Sequence, residues 1–294
     1  MKRLITLILS IIMLTISLCA EPKENEVYVS GSILNLKKYI KFCDENLKIR
    51  NLYVKKYEVT RKEFEEFMGY YYGGNKLKHF SKDGGLYTYY SMMPTSDCAA
   101  VLVTFYEACK FCNWQSEKNG LIPVYIFDGK LDFSVEYSEY KQVEGKWIYN
   151  IQKMPVIKCN ENSNGYRLPN LNEYFYLLLG GKNGIENKWW EGISISDYEN
   201  SELHSIKKVG TLKPNPLGLY DLLSNASEWL WGETLEYSRE DNINYAKNAI
   251  GYTIPKESVK DFNLLRYFSG KKKLSSSRPL KRWFIGFRMV RNAE

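Results

Sequence analysis

Cysteine is the residue type in this chain of 294 residues whose spacing most directly suggests chemistry. Six occur, at positions 19, 43, 98, 109, 112 and 159. Cys19 lies in a segment that is removed or lipidated, and the five that remain, Cys43, Cys98, Cys109, Cys112 and Cys159, cannot all pair within one chain. Cys109-Lys110-Phe111-Cys112 forms a C-x-x-C, the spacing of a redox pair or of half a zinc site. A reactive cysteine of that type sits at a helix N-terminus, where unpaired amides lower its pKa. Cys109 falls five residues past Thr104, the expected helix cap, beyond most of that effect. A zinc site would need a second ligand pair, and the sequence offers none. The pair therefore reads as buried structural thiols or as an ordinary disulfide. The two histidines, His79 and His204, are far apart and lack ligand spacing, so they read as surface or loop residues.

Aromatic side chains are the second candidate set. Trp229, Trp231, the run Tyr70-Tyr71-Tyr72, and Tyr87, Tyr89 and Tyr90 could line a groove for a sugar or a peptide. In a domain of this size such residues more often fill a core. Lys271-Lys272-Lys273, just before Ser275-Ser276-Ser277, is the densest basic cluster and would suit an acidic glycan or a lipid headgroup; its plain reading is a solvated loop.

Three short helices must position these groups. Residues Leu52 to Val59 suit a strand that ends at Thr60, where Thr60-Arg61-Lys62-Glu63 is a capping box that satisfies the first unpaired amides of a helix. Phe64, Phe67, Met68 and Tyr71 then fall on one helical face. The device recurs at Thr104-Phe105-Tyr106-Glu107, after a strand expected over Ala100 to Val103, and opens a helix carrying Ala108, Cys112 and Trp114. It recurs again at Asn170-Leu171-Asn172-Glu173, ahead of Tyr174, Phe175 and Leu178. The second half is strand and loop material, with turn residues from Lys213 to Gly218 and a closing segment in which Trp283, Ile285, Phe287 and Met289 alternate with their neighbours. Fifteen per cent aromatic content with short elements and long loops predicts an irregular α+β domain.

The N-terminus has the physical pattern of an export signal over residues 1–20: Lys2 and Arg3, an uncharged apolar run from Leu4 to Leu18, then a polar turn at Glu21. Cleavage after Ala20 is one reading. Lipidation of Cys19 by a loose lipoprotein box is the other, disfavoured by the bulk of Leu18. The apolar run is short for a bilayer span of about 20 residues, and no later segment is apolar enough. Residues 21–294 carry no Gly, Ser or Pro linker and read as one domain outside the cytoplasm. The net charge of +7 is dispersed among nearly as many acids, which is no nucleic-acid signature.

Several segments, in order, resemble the formylglycine-generating enzyme (sulfatase-modifying factor) family. They are Tyr57-Glu58-Val59-Thr60; Glu107-Ala108 into Phe111-Cys112-Asn113-Trp114; Gly165-Tyr166-Arg167-Leu168-Pro169; Val209-Gly210-Thr211; Gly218-Leu219-Tyr220-Asp221; Asn225 to Glu228-Trp229; and Gly286-Phe287-Arg288. The resemblance implies a modified C-type lectin fold over nearly the whole mature chain. It also exposes a departure. Active members carry Gly-Gly-Ser and two cysteines that hold copper shortly before the final Gly-Phe-Arg; here no cysteine follows Cys159, and the corresponding stretch around Asn248 to Tyr252 lacks that motif. Relatives that use iron draw it from paired histidines, which His79 and His204 do not form.

By the same resemblance, Asp221-Leu222-Leu223-Ser224-Asn225-Ala226-Ser227-Glu228 matches the family's calcium loop: Asp221 and Glu228 would give side-chain oxygens, Ser224 and Ala226 carbonyl oxygens, a hard-ligand set suited to structural calcium. The alternative makes Glu228 a turn cap and Asp221 a loop carboxylate. The expected function is a noncatalytic binding module of the cell envelope, its ligand a glycan or peptide met by the loops from Glu233 to Leu280. The competing readings are an oxidoreductase acting on protein thiols through a non-standard set such as Cys109 with Cys112 or Cys98, and a purely structural envelope component.

Overall fold

A computed structural model describes residues 21–39, 45–72, 90–103, 105–128, 140–143, 146–149, 156–160, 162–198, 206–232, 252–253 and 285–293. The strands are β1 (Glu26–Val29), β2 (Ser32–Leu34), β3 (Leu47–Ile49), β4 (Leu52–Lys55), β5 (Tyr125–Asp128), β6 (Tyr140–Val143), β7 (Lys146–Tyr149), β8 (Val156–Cys159), β9 (Ser227–Leu230), β10 (Tyr252–Thr253), β11 (Ile285–Gly286) and β12 (Val290–Asn292). The helices are α1 (Arg61–Tyr72), α2 (Phe105–Lys118), α3 (Leu171–Leu178) and α4 (Gly181–Glu186). β4 is the centre of an antiparallel sheet ordered β1-β4-β12, so the first strands and the last one share a ladder. β9 lies between β10 and β11, parallel to β11, and three two-stranded sheets pair β2 with β3, β5 with β8 and β6 with β7.

Local chemistry sets the helix starts. At α1, Glu63 accepts from the Thr60 amide at 2.8 Å and the Glu63 amide donates to the Thr60 hydroxyl at 3.3 Å, closing the expected box. At α3, Asn170 and Glu173 make the same reciprocal pair at 2.9 Å each. Thr104, the expected cap of α2, lies outside the described residues. Phe64 and Phe67 of α1 meet Phe111 of α2 at 6.1 and 5.5 Å between ring centres, and Phe111 meets Phe287 edge-on at 5.3 Å. These rings centre one core cluster, while α3, Val29, Leu52, Val54 and Val290 form a second.

Two strand expectations need correction. The first strand stops at Lys55 instead of Val59, because Glu58 turns inward to bond the loop before β9. Ala100 to Val103 forms no ladder strand: Leu102 sits at φ +62°, and the segment reaches its neighbours singly, through Ala100 N–H to Val59 O (2.7 Å) and Val103 N–H to Ile285 O (3.4 Å). The closing segment is buried along its whole length from Ile285 to Ala293, with Phe287 and Met289 in the first cluster and Val290 in the second. Its alternation therefore does not separate core from water: Arg288, on the alternate side, is buried in an ion pair with Glu228.

Gly286 is required by contact. A Cβ there would stand 2.3 Å from the Ala100 carbonyl oxygen, a backbone atom with no rotamer to escape by. Gly286→Ala is expected to lower stability by about 1–3 kcal/mol, read as a drop in urea midpoint at unchanged slope.

Candidate functional site

The residues that carry the family resemblance converge on one buried hub. Glu58 accepts from the Ala226 amide (2.9 Å) and from the Asn225 side-chain amide (2.6 Å), while Asn225 Oδ1 accepts from the Lys207 amide at 2.9 Å. Asp221 Oδ2 accepts from the Gly210 amide at 2.7 Å. Gly210 is held at φ +72°, and a Cβ on it would meet the Tyr57 ring at 2.5 Å. Asp221 and Asn225 both occupy left-handed backbone, at φ 60° and 72°, a conformation that short polar side chains tolerate. Arg288 completes the hub. It donates to both oxygens of Glu228 at 2.8 to 3.0 Å, and to the carbonyls of Tyr220 at 2.8 Å and Lys56 at 3.3 Å. Burial works against its charge, yet Glu228 beside it pushes the guanidinium above its ordinary pKa.

The calcium expectation meets this geometry directly. Asp221, Ser224, Ala226 and Glu228 do lie in one short buried stretch. Glu228, however, has both oxygens bonded to a fully buried arginine, so a cation at that carboxylate would lie against a guanidinium, where repulsion is unscreened. Arg288 supplies the positive charge that the calcium reading asked of an ion. Glu228, paired in this way, does not suit a calcium ligand in this arrangement. Among the described residues no group of three or more His, Cys, Asp or Glu side chains is placed to hold a metal. His79, His204 and Cys43 lie outside the described residues, as do Lys271 to Lys273, all of Asn248 to Tyr252 but Tyr252 itself, and the ligand surface expected from Glu233 to Leu280 apart from Tyr252 and Thr253.

Cys109 and Cys112 sit within α2 as fully buried thiols, and Cys98 is a buried thiol elsewhere in the same cluster. Neither member of the C-x-x-C is in a disulfide. Burial pushes both thiols well above the ordinary range, reinforced at Cys109 by the neighbouring Cys112 and Cys159 and at Cys112 by Cys159. A thiol so placed is neither ionised nor within a substrate's reach.

The aromatic candidates separate. Trp229 is core, its indole N–H donating to Val103 O at 2.8 Å. Tyr70 is exposed beside Trp114, and Tyr90 is exposed beneath the Arg61 guanidinium. The side chains of Tyr71, Tyr72, Tyr87 and Tyr89 lie outside the description. Trp231 lines a cleft of about 580 Å³, together with Arg50 from the turn between β3 and β4, and with Lys158, Cys159, Asn160 and Asn162 from the end of β8 and the turn after it. Motif residues fix that indole indirectly. Asn113 clamps Tyr125 by both its amide groups, at 2.6 and 2.9 Å, and the Tyr125 ring lies 5.0 Å from Trp231. Phe105 stacks on Trp231 at 5.8 Å and 19°, and the Trp231 amide donates to Pro169 O at 2.9 Å. The polar lining, Arg50 with Asn160 and Asn162, had no signal in the sequence, since isolated polar residues gain meaning only by convergence.

A family model described as the sulfatase-modifying factor enzyme 1-like domain matches residues 18–293. The chain belongs to this family. A curated relative, the chaperone protein LppX of Paenibacillus barcinonensis, is 28% identical over 214 residues, which is 65% of each chain. The present chain thus covers somewhat less than two thirds of that relative's length. Among solved structures, CarF is similar with a TM-score of 0.57 at 18% identity, over 91% of this chain and 97% of CarF. Treponema denticola variable protein 1 is similar with a TM-score of 0.51 at 16% identity, over 91% and 94%. The fold is the α+β, modified C-type lectin-like architecture of the formylglycine-generating enzyme type.

A calcium ion held only by the folded chain would raise stability by about 2.7 kcal/mol at a free concentration of 100 times its dissociation constant. With Arg288 on Glu228, melting in millimolar calcium and in chelator is expected to coincide. A calcium-dependent rise that Asp221→Ala removes would restore the calcium site.

Proposed function

We propose that this protein is an exported binding module of the cell envelope that performs no oxidase chemistry of its own. One observation carries the reading. The family residues that the chain retains are spent on holding the fold: Glu58, Gly210, Asp221 and Asn225 on the loop before β9, Glu228 and Arg288 on each other. The chain has no cysteine after Cys159, where active relatives carry their copper-binding pair. The thiols that would serve an alternative oxidoreductase, Cys98, Cys109 and Cys112, are buried, and burial pushes Cys109 and Cys112 well above the ordinary thiol range. A scaffold kept without its reactive pair is suited to holding a ligand.

Export rests on the signal pattern of residues 1–20, with Cys19 the candidate lipid anchor. No helix among the described residues is long and apolar enough to cross a membrane. The relative named a chaperone supports a role in holding an exported partner rather than in transforming it. The ligand is an extracellular or envelope glycan or peptide, and no nucleic acid.

Two measurements on the purified mature chain test the reading. Incubation with a cysteine-containing peptide, copper and oxygen is expected to consume no more thiol than copper alone; turnover lost in Cys112→Ser would establish the oxidoreductase instead. Surface-immobilised protein is expected to retain material saturably from fractionated envelope glycans or exported polypeptides. Retention of neither class would overturn the binding module.

A further inference from the structure

The cleft at Trp231 has a composition that selects among ligands. Its walls come from three separate parts of the fold: Arg50 from the β3–β4 turn, Lys158, Cys159, Asn160 and Asn162 from the end of β8 and its following turn, and Trp231 just after β9. The two core clusters meet there, since Trp231 packs against the first and Ile49, next to Arg50, belongs to the second. Concave sites that take small ligands favour such junctions. Resting on the binding-module reading, we propose that this cleft binds an anionic saccharide, its ring against the Trp231 indole and its acid group between Arg50 and Lys158.

Three features favour a sugar over a peptide. The indole is a pre-set platform, stacked against Phe105, packed against the tilted ring of Tyr125 and tied to Pro169 through its own backbone, so little side-chain freedom is lost when a ring settles on it. The remaining lining is polar apart from Ile157 and the half-buried Cys159. Ile157 is 2% exposed and Cys159 offers only a small thiol, so a peptide's apolar side chains would find no deep pocket to anchor in. Asn160 and Asn162 are exposed side-chain amides, groups that both donate and accept, as the hydroxyls of a sugar require.

Charge then selects an acidic sugar over a neutral one. Arg50 and Lys158 are both exposed at the cleft. The nearest carboxylate recorded for Lys158 is that of Asp128, at 3.9 Å between two well-exposed side chains, a contact too loose to neutralise it. A carboxylate or a phosphate on the sugar would suit the same two cations. The two differ in geometry, since Arg50 presents a planar fork that suits either group, whereas Lys158 is a point charge.

The test is a titration of the full mature chain, by intrinsic tryptophan fluorescence and calorimetry, with four probes: a uronic acid trisaccharide, a glycerol-phosphate trimer bearing sugar, a neutral trisaccharide of matched size, and hexaglutamate. One or both acidic sugars should bind saturably and at least about tenfold more tightly than the neutral one, with affinity falling as salt rises. Their relative strength assigns carboxylate or phosphate. Lys158→Gln and Arg50→Gln, both at exposed positions and expected to fold, should each weaken binding several-fold. Trp231→Ala should abolish it, and Trp231→Phe should recover part. Equal affinity for neutral and acidic sugars, indifference to Lys158→Gln and Arg50→Gln, or no sugar binding by folded protein would overturn the proposal. Binding of hexaglutamate alone would also overturn it while leaving the binding-module reading intact.

Discussion

The Glu228–Arg288 pair is the constraint on which the rest of the structure depends. Both side chains are almost wholly excluded from water, and the arginine also collects the carbonyls of Lys56 and Tyr220. Three parts of the chain far apart in sequence are thereby fixed at one point: the exit of β4, β9 with the turn before it, and the closing segment. The Coulombic gain of such a pair is largely offset by desolvation, so its value lies in specificity. Arg167 with Glu173, and Arg291 with Glu26, repeat the device at α3 and β12. In the last pair burial would raise the Glu26 pKa, yet the hydrogen bonds from Arg291 and the Lys23 amide, with the attraction of Arg291, hold it below the ordinary value.

A scaffold built this way separates the buried residues that hold the fold from the exposed cleft at Trp231. The shared motifs lie inside, where Glu58, Asp221, Asn225, Glu228 and Arg288 each have a partner whose loss would leave a buried charge or amide orphaned. The Trp231 cleft lies outside that hub but is positioned by it, through Asn113, Tyr125 and Pro169. Its lining can therefore change without disturbing the interior, which is how one architecture serves both relatives that carry a metal pair and a chain that carries none.

The sequence was legible where local chemistry decides. The boxes at Thr60 and Asn170 are backbone accounting within four residues, and both form. Family and fold were legible because the hub requires particular residue types at fixed points. The segment Ala100 to Val103 misled because its apolar run reflects burial, and the close approach of Gly286 leaves it no ladder. The alternation of the closing segment was seen, but its burial on both sides depends on long-range packing that no local pattern records. Glu228 illustrates the same limit: its spacing from Asp221 resembles a calcium loop, while its partner stands 60 positions away. Trp231 could be singled out as an aromatic, yet its cleft depends on Arg50 and Asn160, which only the fold brings near it.

The most direct measurement is a double-mutant cycle on the central pair, by urea unfolding of Glu228→Gln, Arg288→Met and the combination. Each single change, by leaving one buried group without its counterpart, is expected to cost about 3–5 kcal/mol. The double variant should cost clearly less than the sum, with a coupling of about 1–3 kcal/mol. Strict additivity, or single variants as stable as the parent, would contradict the account and show that the hub is held by something other than this pair.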